Sequence, residues 1–464
     1  VSGTDQAALA EFLGGDTVAS SEDEAAEFFA AFHRGEFCYC DEWGFWLRWD
    51  GTRWARDQTR AVFDQVRLRN RIFAGSGDAK KRPSLGRQLA SSKGVSAVER
   101  LARGHRAFAR RSVDFDSEQW AICTPGGIVD LTDGTISPAD PARGFTRCTA
   151  VALDERPPTL FLRVLDRITG GDAGLQGYLQ RLAGVCLTGS VRDHFFCFIW
   201  GLGANGKSTF LQTLAGVLGD YAVNAPFDLF VEAKGERHPT ELALLRGARL
   251  AISQESEPGR PWAAARIKAL TGGDLISARY MRGDFFTFEP HAKLLLAGNH
   301  KPPLRAVDEG IRRRLHLVPF DQVIPPDERD PELVEKLRNE WGAILGWALQ
   351  GCLDWQAMGR IDPPARVVEA TDSYLEAEDV LGAWIEDCCE RVEASVATGA
   401  LHHSYHGWAE RTGERFLGMK RFAQALEERG FQRQRTAKAR GFIGLRLKQE
   451  SQPPLPFGVT DDAK

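Results

Sequence analysis

No run of apolar residues in this 464-residue chain approaches the ~18 needed to span a bilayer; the longest clear one is Phe195–Trp200. A membrane protein is therefore not expected. The N-terminus lacks a basic region followed by an apolar stretch, so no secretory signal is expected and the cytoplasm is the default. The nine cysteines include no C-x-x-C pair, which argues against a zinc ribbon or disulfide scaffold. Cys388, Cys389, His402, His403 and His406 fit no usual structural zinc spacing either. There is no internal repeat of solenoid or propeller period. Net charge is also small, −4 at a pI near 6.3, which on average speaks against a polyanionic partner. What is present is globular: 43% hydrophobic and 26% charged residues, with a length suited to two to four domains.

The small charge is a cancellation. The first 30 residues carry seven acids and no base. Arg53 to Arg111 holds 16 bases and four acids, and Arg415 to Lys448 ten bases and two acids. Blocks of +12 and +8 thus stand against −24 elsewhere, and concentrated positive charge is the footprint of phosphate contact. Breaks fall at Gly75–Gly77 and Lys80–Pro83, at Arg156-Pro157-Pro158, and at Pro325-Pro326 and Pro363-Pro364.

Gly201-Leu202-Gly203-Ala204-Asn205-Gly206-Lys207-Ser208 fits G-x-x-x-x-G-K-[ST], followed by Thr209. The apolar run before it predicts a buried strand. Phe210, Leu211, Leu214, Val217 and Leu218 after it recur at helical spacing. Strand, Gly-rich loop and helix together form a phosphate cradle, with backbone N–H groups and a helix N-terminus facing the anion. Lys207 is expected on the β- and γ-phosphates of ATP and Ser208 on Mg²⁺. Arg249–Glu255 predicts a second strand delivering Glu255 as general base or metal-orienting acid, with Glu257 behind it. Leu294–Gly298 predicts a third, ending in Asn299, which orients water or senses the γ-phosphate. Of the arginines in Ile311-Arg312-Arg313-Arg314-Leu315, at least one must project from the subunit, since three in a row cannot all turn inward.

Gly201–Thr209, Arg249–Glu255, Ile267–Asp274 with its Lys-Ala-Leu-Thr-Gly-Gly-Asp, Lys293–Asn299 and Gly310–Phe320 occur in one order. Together they resemble the superfamily 3 helicase domain of the poxvirus and satellite-phage type of replicative primase-helicase. Trp46–Asp57 and Trp120–Asp140 resemble the domain that precedes it in that family. The resemblance implies an AAA+ fold, a homo-oligomeric, hexameric ring, and ATP-driven movement along single-stranded DNA, usually 3′ to 5′, in a bacterial host cell. By position Arg314 matches the arginine finger, with Arg313 beside it, and Asn299 the polar sensor. The tumour-antigen branch has two adjacent acids where this chain has Gln254-Glu255. The family's pore hairpin is matched by Leu275–Met281 and Phe285–Phe288 around Arg282-Gly283-Asp284, with Arg279 and Arg282 toward DNA phosphates.

Downstream, Val380 to Val392, Leu401–Arg411 and Met419–Glu428 predict three helices, and Gly430–Leu447 a hairpin. That is a winged-helix pattern, with Lys420 and Arg421 on the third helix and Arg433, Arg435, Lys438 and Arg440 in the wing as duplex contacts. Asp114-Phe115-Asp116 alternates like a primase metal strand but has no third-acid partner, so primase activity is expected, if at all, from a separate primase or polymerase chain. The expected organisation is α/β: a mixed α+β N-terminal domain (1–155), a helical collar (156–192), an AAA+ P-loop NTPase motor with a parallel sheet flanked by helices (193–362), a winged helix (372–450) and a disordered tail (451–464). The function expected is a hexameric phage or plasmid replicative helicase on single-stranded and forked DNA. A non-translocating ATP-dependent initiator or loader, or a packaging or defence ATPase, is the alternative.

Overall fold

The computed structural model describes residues 19–75, 83–232, 240–255, 259–281, 283–305, 307–414, 416–435 and 440–448. Glu257, Arg282, Lys438, the Lys80–Arg82 cluster and the 451–464 tail lie outside them, as does the side chain of Arg435.

The chain is mixed α/β around one parallel sheet. Its five strands stand in the order Leu315–Pro319, Phe196–Trp200, Lys293–Gly298, Leu250–Gln254, Ala222–Asn224. Every neighbouring pair is parallel. The strands read as near-continuous apolar runs because both faces are covered, as parallel sheets require. One face packs on helices Thr159–Thr169, Ala173–Val185, Lys207–Leu218 and Trp341–Met358. The other packs on helix Ala264–Gly272 and on Ala365–Glu378. Helices Ala173–Val185 and Trp341–Met358 approach backbone to backbone: a Cβ on Gly184 would lie 2.1 Å from the Cys352 nitrogen, and one on Gly351 2.1 Å from the Gln180 carbonyl oxygen.

Two expected boundaries move. Ile122, Val129 and Leu131, from the hairpin Ala121–Thr124/Gly127–Asp130, are buried in the same cluster as the sheet, so the core runs through residue 155. Helix Ala365–Glu378 also belongs to the sheet. Thr371 Oγ accepts from the Leu317 N–H at 2.9 Å and covers the edge strand. The C-terminal unit therefore begins near Val380, with its own core around Trp384, Tyr405 and Phe422. Its first helix stops at Cys388, short of Val392, because Cys389–Glu390 pairs as a strand with Arg446–Leu447. Helices Thr398–Thr412 and Met419–Glu428 follow, with Ser395–Ala397, Arg440–Ile443 and Gln432–Arg435 as a three-stranded sheet. The N-terminal region has a four-stranded sheet, Trp54–Arg56, Phe45–Trp49, Phe37–Cys40 and Ala109–Arg110, packed by helices Glu22–His33, Ala61–Gly75 and Ser92–Arg103. Among the described residues no helix is long and apolar enough to cross a membrane.

Two cations lie at the foot of the sheet. Arg249 is 5% exposed and Lys293 3%. Arg249 donates to the carbonyls of Leu187, Glu118 (2.8 Å) and Ala121 (2.7 Å), its guanidinium 4.7 Å from the Tyr221 ring centroid. Lys293 donates to the carbonyls of Thr188 and His291. Burial pushes the Lys293 ammonium down to about 7 from its ordinary 10.5. Between those values the unfolded chain holds the proton and the native chain does not, so this group makes stability rise with pH, by up to ~1.4 kcal/mol per unit. Urea midpoints compared at about pH 7 and about pH 8.5 should show that rise, and Lys293→Met should flatten it.

Candidate nucleotide site

All five parallel strands end at the same edge, and the chemistry collects there. Trp200 leads into the loop, whose Gly203 (φ 109°), Ala204 (φ 47°) and Gly206 (φ 80°) have left-handed backbones. A Cβ on Gly206 would meet Ile168 Cγ2 at 2.5 Å, so helix Thr159–Thr169 fixes the loop from behind. The loop is tied from the other side by Asn205 Nδ2 donating to the Phe320 carbonyl (2.6 Å) and the Ile324 N–H donating to the Ala204 carbonyl (2.7 Å). Beyond Gly203 there is open space. Gly201 lies under Asn205 and Phe320, Thr209 stands in the first helical turn beside Ser208, and the helix begins at Lys207.

Lys207 is buried, and its ammonium donates to Gly201 O (2.6 Å), Asn205 Oδ1 (3.0 Å) and Asn299 Oδ1 (3.1 Å). Burial draws its pKa below the usual lysine value. Lys207 and Asn299, 92 residues apart, are thus in direct contact. Ser208 Oγ meets Gln254 Oε1 at 3.3 Å. Glu255 Oε2 accepts from the His300 N–H at 3.0 Å, which turns the carboxylate toward the end of the Asn299 strand. Sequence reasoning noted Gln254 only as a missing acid; the structure makes it the side chain that faces the loop serine. Strand alternation held the signal, since Gln254 and Glu255 point to opposite faces. Lys301, 4.5 Å from the Trp200 ring centroid, was also missed.

The donor set fits a nucleoside triphosphate with a divalent cation. It combines a buried ammonium, a hydroxyl at a helix start, a carboxylate, and a loop with backbone room at Gly203.

The arginines are placed differently from expectation. Arg314 does not project: it is 6% exposed, and its guanidinium donates to Thr271 Oγ (3.2 Å) and to the Gly310 carbonyl (3.0 Å) of its own chain. Thr271 lies in the Thr-Gly-Gly-Asp segment, so the two most specific motif pieces meet each other. Arg312 and Arg313 are the exposed pair.

The hairpin forms as expected, Ile276–Arg279 antiparallel to Phe285–Phe288, with the Arg279 guanidinium 5.1 Å from the Phe285 ring. Tyr280, Met281 and Phe285 are exposed near its tip. In the C-terminal unit Lys420, Arg421 and Arg440 are exposed, while Arg433 is ion-paired with Glu427 at 2.8 Å. Asp114 accepts from the Arg111 N–H (2.9 Å) in a local turn, and Asp116 from the N–H of Thr146 (2.8 Å), distant in sequence.

The chain is thus a mixed α/β protein whose parallel sheet carries a G-x-x-x-x-G-K-[ST] loop at its carboxyl edge. A family model described as D5 N terminal like matches residues 26–170, and one described as a family of unknown function (DUF5906) matches 199–314. A protein of Acanthamoeba polyphaga mimivirus named as a helicase is 28% identical over 325 residues, 64% of this chain and 33% of its own length. Helicase 022R of Frog virus 3 (isolate Goorha) is 27% identical over 49% of this chain and 25% of its own. The chain spans a third or less of the length of these relatives. Among solved structures, the apo C-terminal region of NrS-1 is similar with a TM-score of 0.42 and 12% identity, over 64% of this chain and 78% of that one. The chain thus resembles, at modest identity, helicase-named proteins of large DNA viruses, and its residues 26–170 match the D5 N terminal like model.

Gly206→Ala should cost about 1–3 kcal/mol, from the left-handed backbone and the Ile168 clash together. Adding Ile168→Ala should return the steric part in thermal melts and leave the backbone part.

Proposed function

We propose that the chain is the ATP-driven motor part of a mobile-element replicative DNA helicase. It would work as an AAA+ ring, six subunits by family resemblance, moving 3′ to 5′ on single-stranded DNA. The observation that carries this is the convergence of Lys207, Ser208, Gln254, Glu255 and Asn299 on one sheet edge. In this reading Lys207 leaves its three oxygens for the β- and γ-phosphates, and Asn299, released from Lys207, positions the attacking water. Glu255 takes the proton of that water, its carboxylate held by the His300 N–H. Mg²⁺ would be held by Ser208, with Gln254 and Glu255 orienting its water shell, and would neutralise charge on the phosphates.

The trans-acting arginine is assigned to Arg313, the exposed neighbour of Arg314, which instead braces Thr271 in cis. The hairpin's Arg279 and Arg282 are assigned to DNA in the ring channel. The C-terminal unit is assigned as a winged helix touching duplex through Lys420, Arg421, Arg435, Lys438 and Arg440, with Arg433 held by Glu427.

ATP turnover and strand separation on forked, 3′-tailed and 5′-tailed duplexes test this reading, with Lys207→Ala inactive in both. Turnover that never yields tail-dependent unwinding would favour the non-translocating switch. Arg313→Ala should lower hydrolysis by about 10³-fold or more with unchanged thermal stability. Arg314→Ala should lower the melting temperature as well, since it removes two buried hydrogen bonds to a charged group. Full-rate hydrolysis by isolated monomers would remove any trans arginine.

A further inference from the structure

Away from the nucleotide edge, the N-terminal region has a cleft of about 780 Å³ between helices Ala61–Gly75 and Ser92–Arg103. Arg60, Lys93, Arg100 and Arg103 line it, with Phe63 and Ser96 between them. Its two carboxylates are already engaged. Glu99 receives Arg103 through two bonds of 2.9 Å and the Trp46 indole N–H, and Glu22 receives Gln88 Nε2 at 2.6 Å. Arg60, Lys93 and Arg100 are exposed, and none has an ion-pair partner among the described residues. Lys93, Ser96 and Arg100 recur at three- and four-residue spacing, so they share one helix face. The Arg60 guanidinium lies 4.5 Å from the Phe63 ring centroid on the facing wall.

We infer that this cleft is a second phosphate-binding site and that its ligand is a single strand of nucleic acid. Lys93 to Arg100 spans ~10 Å along the helix, about three nucleotides at the ~3.4 Å spacing of a stacked strand. Three cations without internal partners match three phosphates. Phe63 and Arg60 offer a face on which a base can stack, so the cleft combines the cationic track and flat platform that single strands require. An acidic peptide would match the charges but leave the platform unused. The site stands apart from the motor edge and does not depend on ATP.

The test uses the full chain carrying Arg60→Ala, Lys93→Ala and Arg100→Ala together, with the exposed Arg163→Ala as a control. Binding of an oligothymidylate of about 20 nucleotides is followed by fluorescence anisotropy between about 50 and 200 mM salt. The triple variant should lose about tenfold or more in affinity at low salt. The slope of log K against log salt should become shallower by about 2, three contacts at ~0.7 each, while the control keeps the wild-type slope. A 4-thiothymidine strand should photocrosslink to the 83–111 peptide of the wild-type chain. An unchanged slope with no crosslink there overturns the inference. So does a triple variant that binds DNA normally but loses self-association, which would give the cleft to an acidic segment of a neighbouring copy. Inorganic tripolyphosphate separates the remaining source: if the triple variant loses it while retaining the oligonucleotide, the ligand is a free polyphosphate and the nucleic-acid assignment falls.

Discussion

The structure depends most on two basic side chains buried with no ion-paired carboxylate among the described residues. Arg249 and Lys293 open adjacent strands of the sheet and are solvated by main-chain carbonyls. The guanidinium keeps its charge, and an isolated buried charge is expensive, so each carbonyl Arg249 touches is held in place by the cost of leaving that charge unpaired. Leu187 and Thr188 follow the C-terminus of helix Ala173–Val185, where the helix dipole favours positive charge. Glu118 and Ala121 belong to the segment leading into the N-terminal hairpin. One guanidinium therefore fixes the hairpin and the end of helix Ala173–Val185 to the foot of the sheet. The Cys123 N–H on the Tyr221 hydroxyl adds a neutral bond to the same joint.

With its foot fixed, the sheet delivers its chemistry at the opposite end. The Asn299 strand lies between the P-loop strand and the Glu255 strand, so the amide is placed between the lysine and the carboxylate. Asn299 can touch Lys207 because Lys293–Gly298 is hydrogen-bonded directly to Phe196–Trp200. Had the acid strand taken that place, Lys207 would have faced a carboxylate, and an ion pair there would compete with phosphate. An amide holds the ammonium more weakly and lets it go.

Much of this was legible in the sequence because it is local. The apolar run Phe195–Trp200, the loop glycines and the helical spacing after Lys207 state a strand, a turn and a helix without reference to anything distant. The hairpin around Gly283 and the three C-terminal helices were legible for the same reason. What was not legible is direction. Three consecutive arginines show that they cannot all be buried, but which one turns inward depends on Thr271 and the Gly310 carbonyl, contacts set by the packed fold. Gln254 looked like a missing acid until Ser208 stood across from it. Helix Ala365–Glu378 was cut at Pro363-Pro364 because proline punctuates the chain, yet the helix beyond it returns to cover the Leu315–Pro319 edge.

The same distinction applies to charge. The +12 of Arg53 to Arg111 is a net count, and folding offsets part of it with acids outside the block, Arg53 pairing with Asp220 and Arg111 with Asp114. Arg67–Asp64 and Arg103–Glu99 are pairs within the block, already in its count, and they take two more bases away from an outside ligand. In the C-terminal block Arg429 pairs with Asp379, Arg433 with Glu427 and Arg446 with Glu390. A block charge therefore overstates the field that a ligand meets. The cations that matter outside are those with no such partner among the described residues, and in the N-terminal region Arg60, Lys93 and Arg100 gather on one cleft. Lys93 and Arg100 stand on one helix and Arg60 just before the facing one, its guanidinium over the Phe63 ring, so the three converge on one lined cleft.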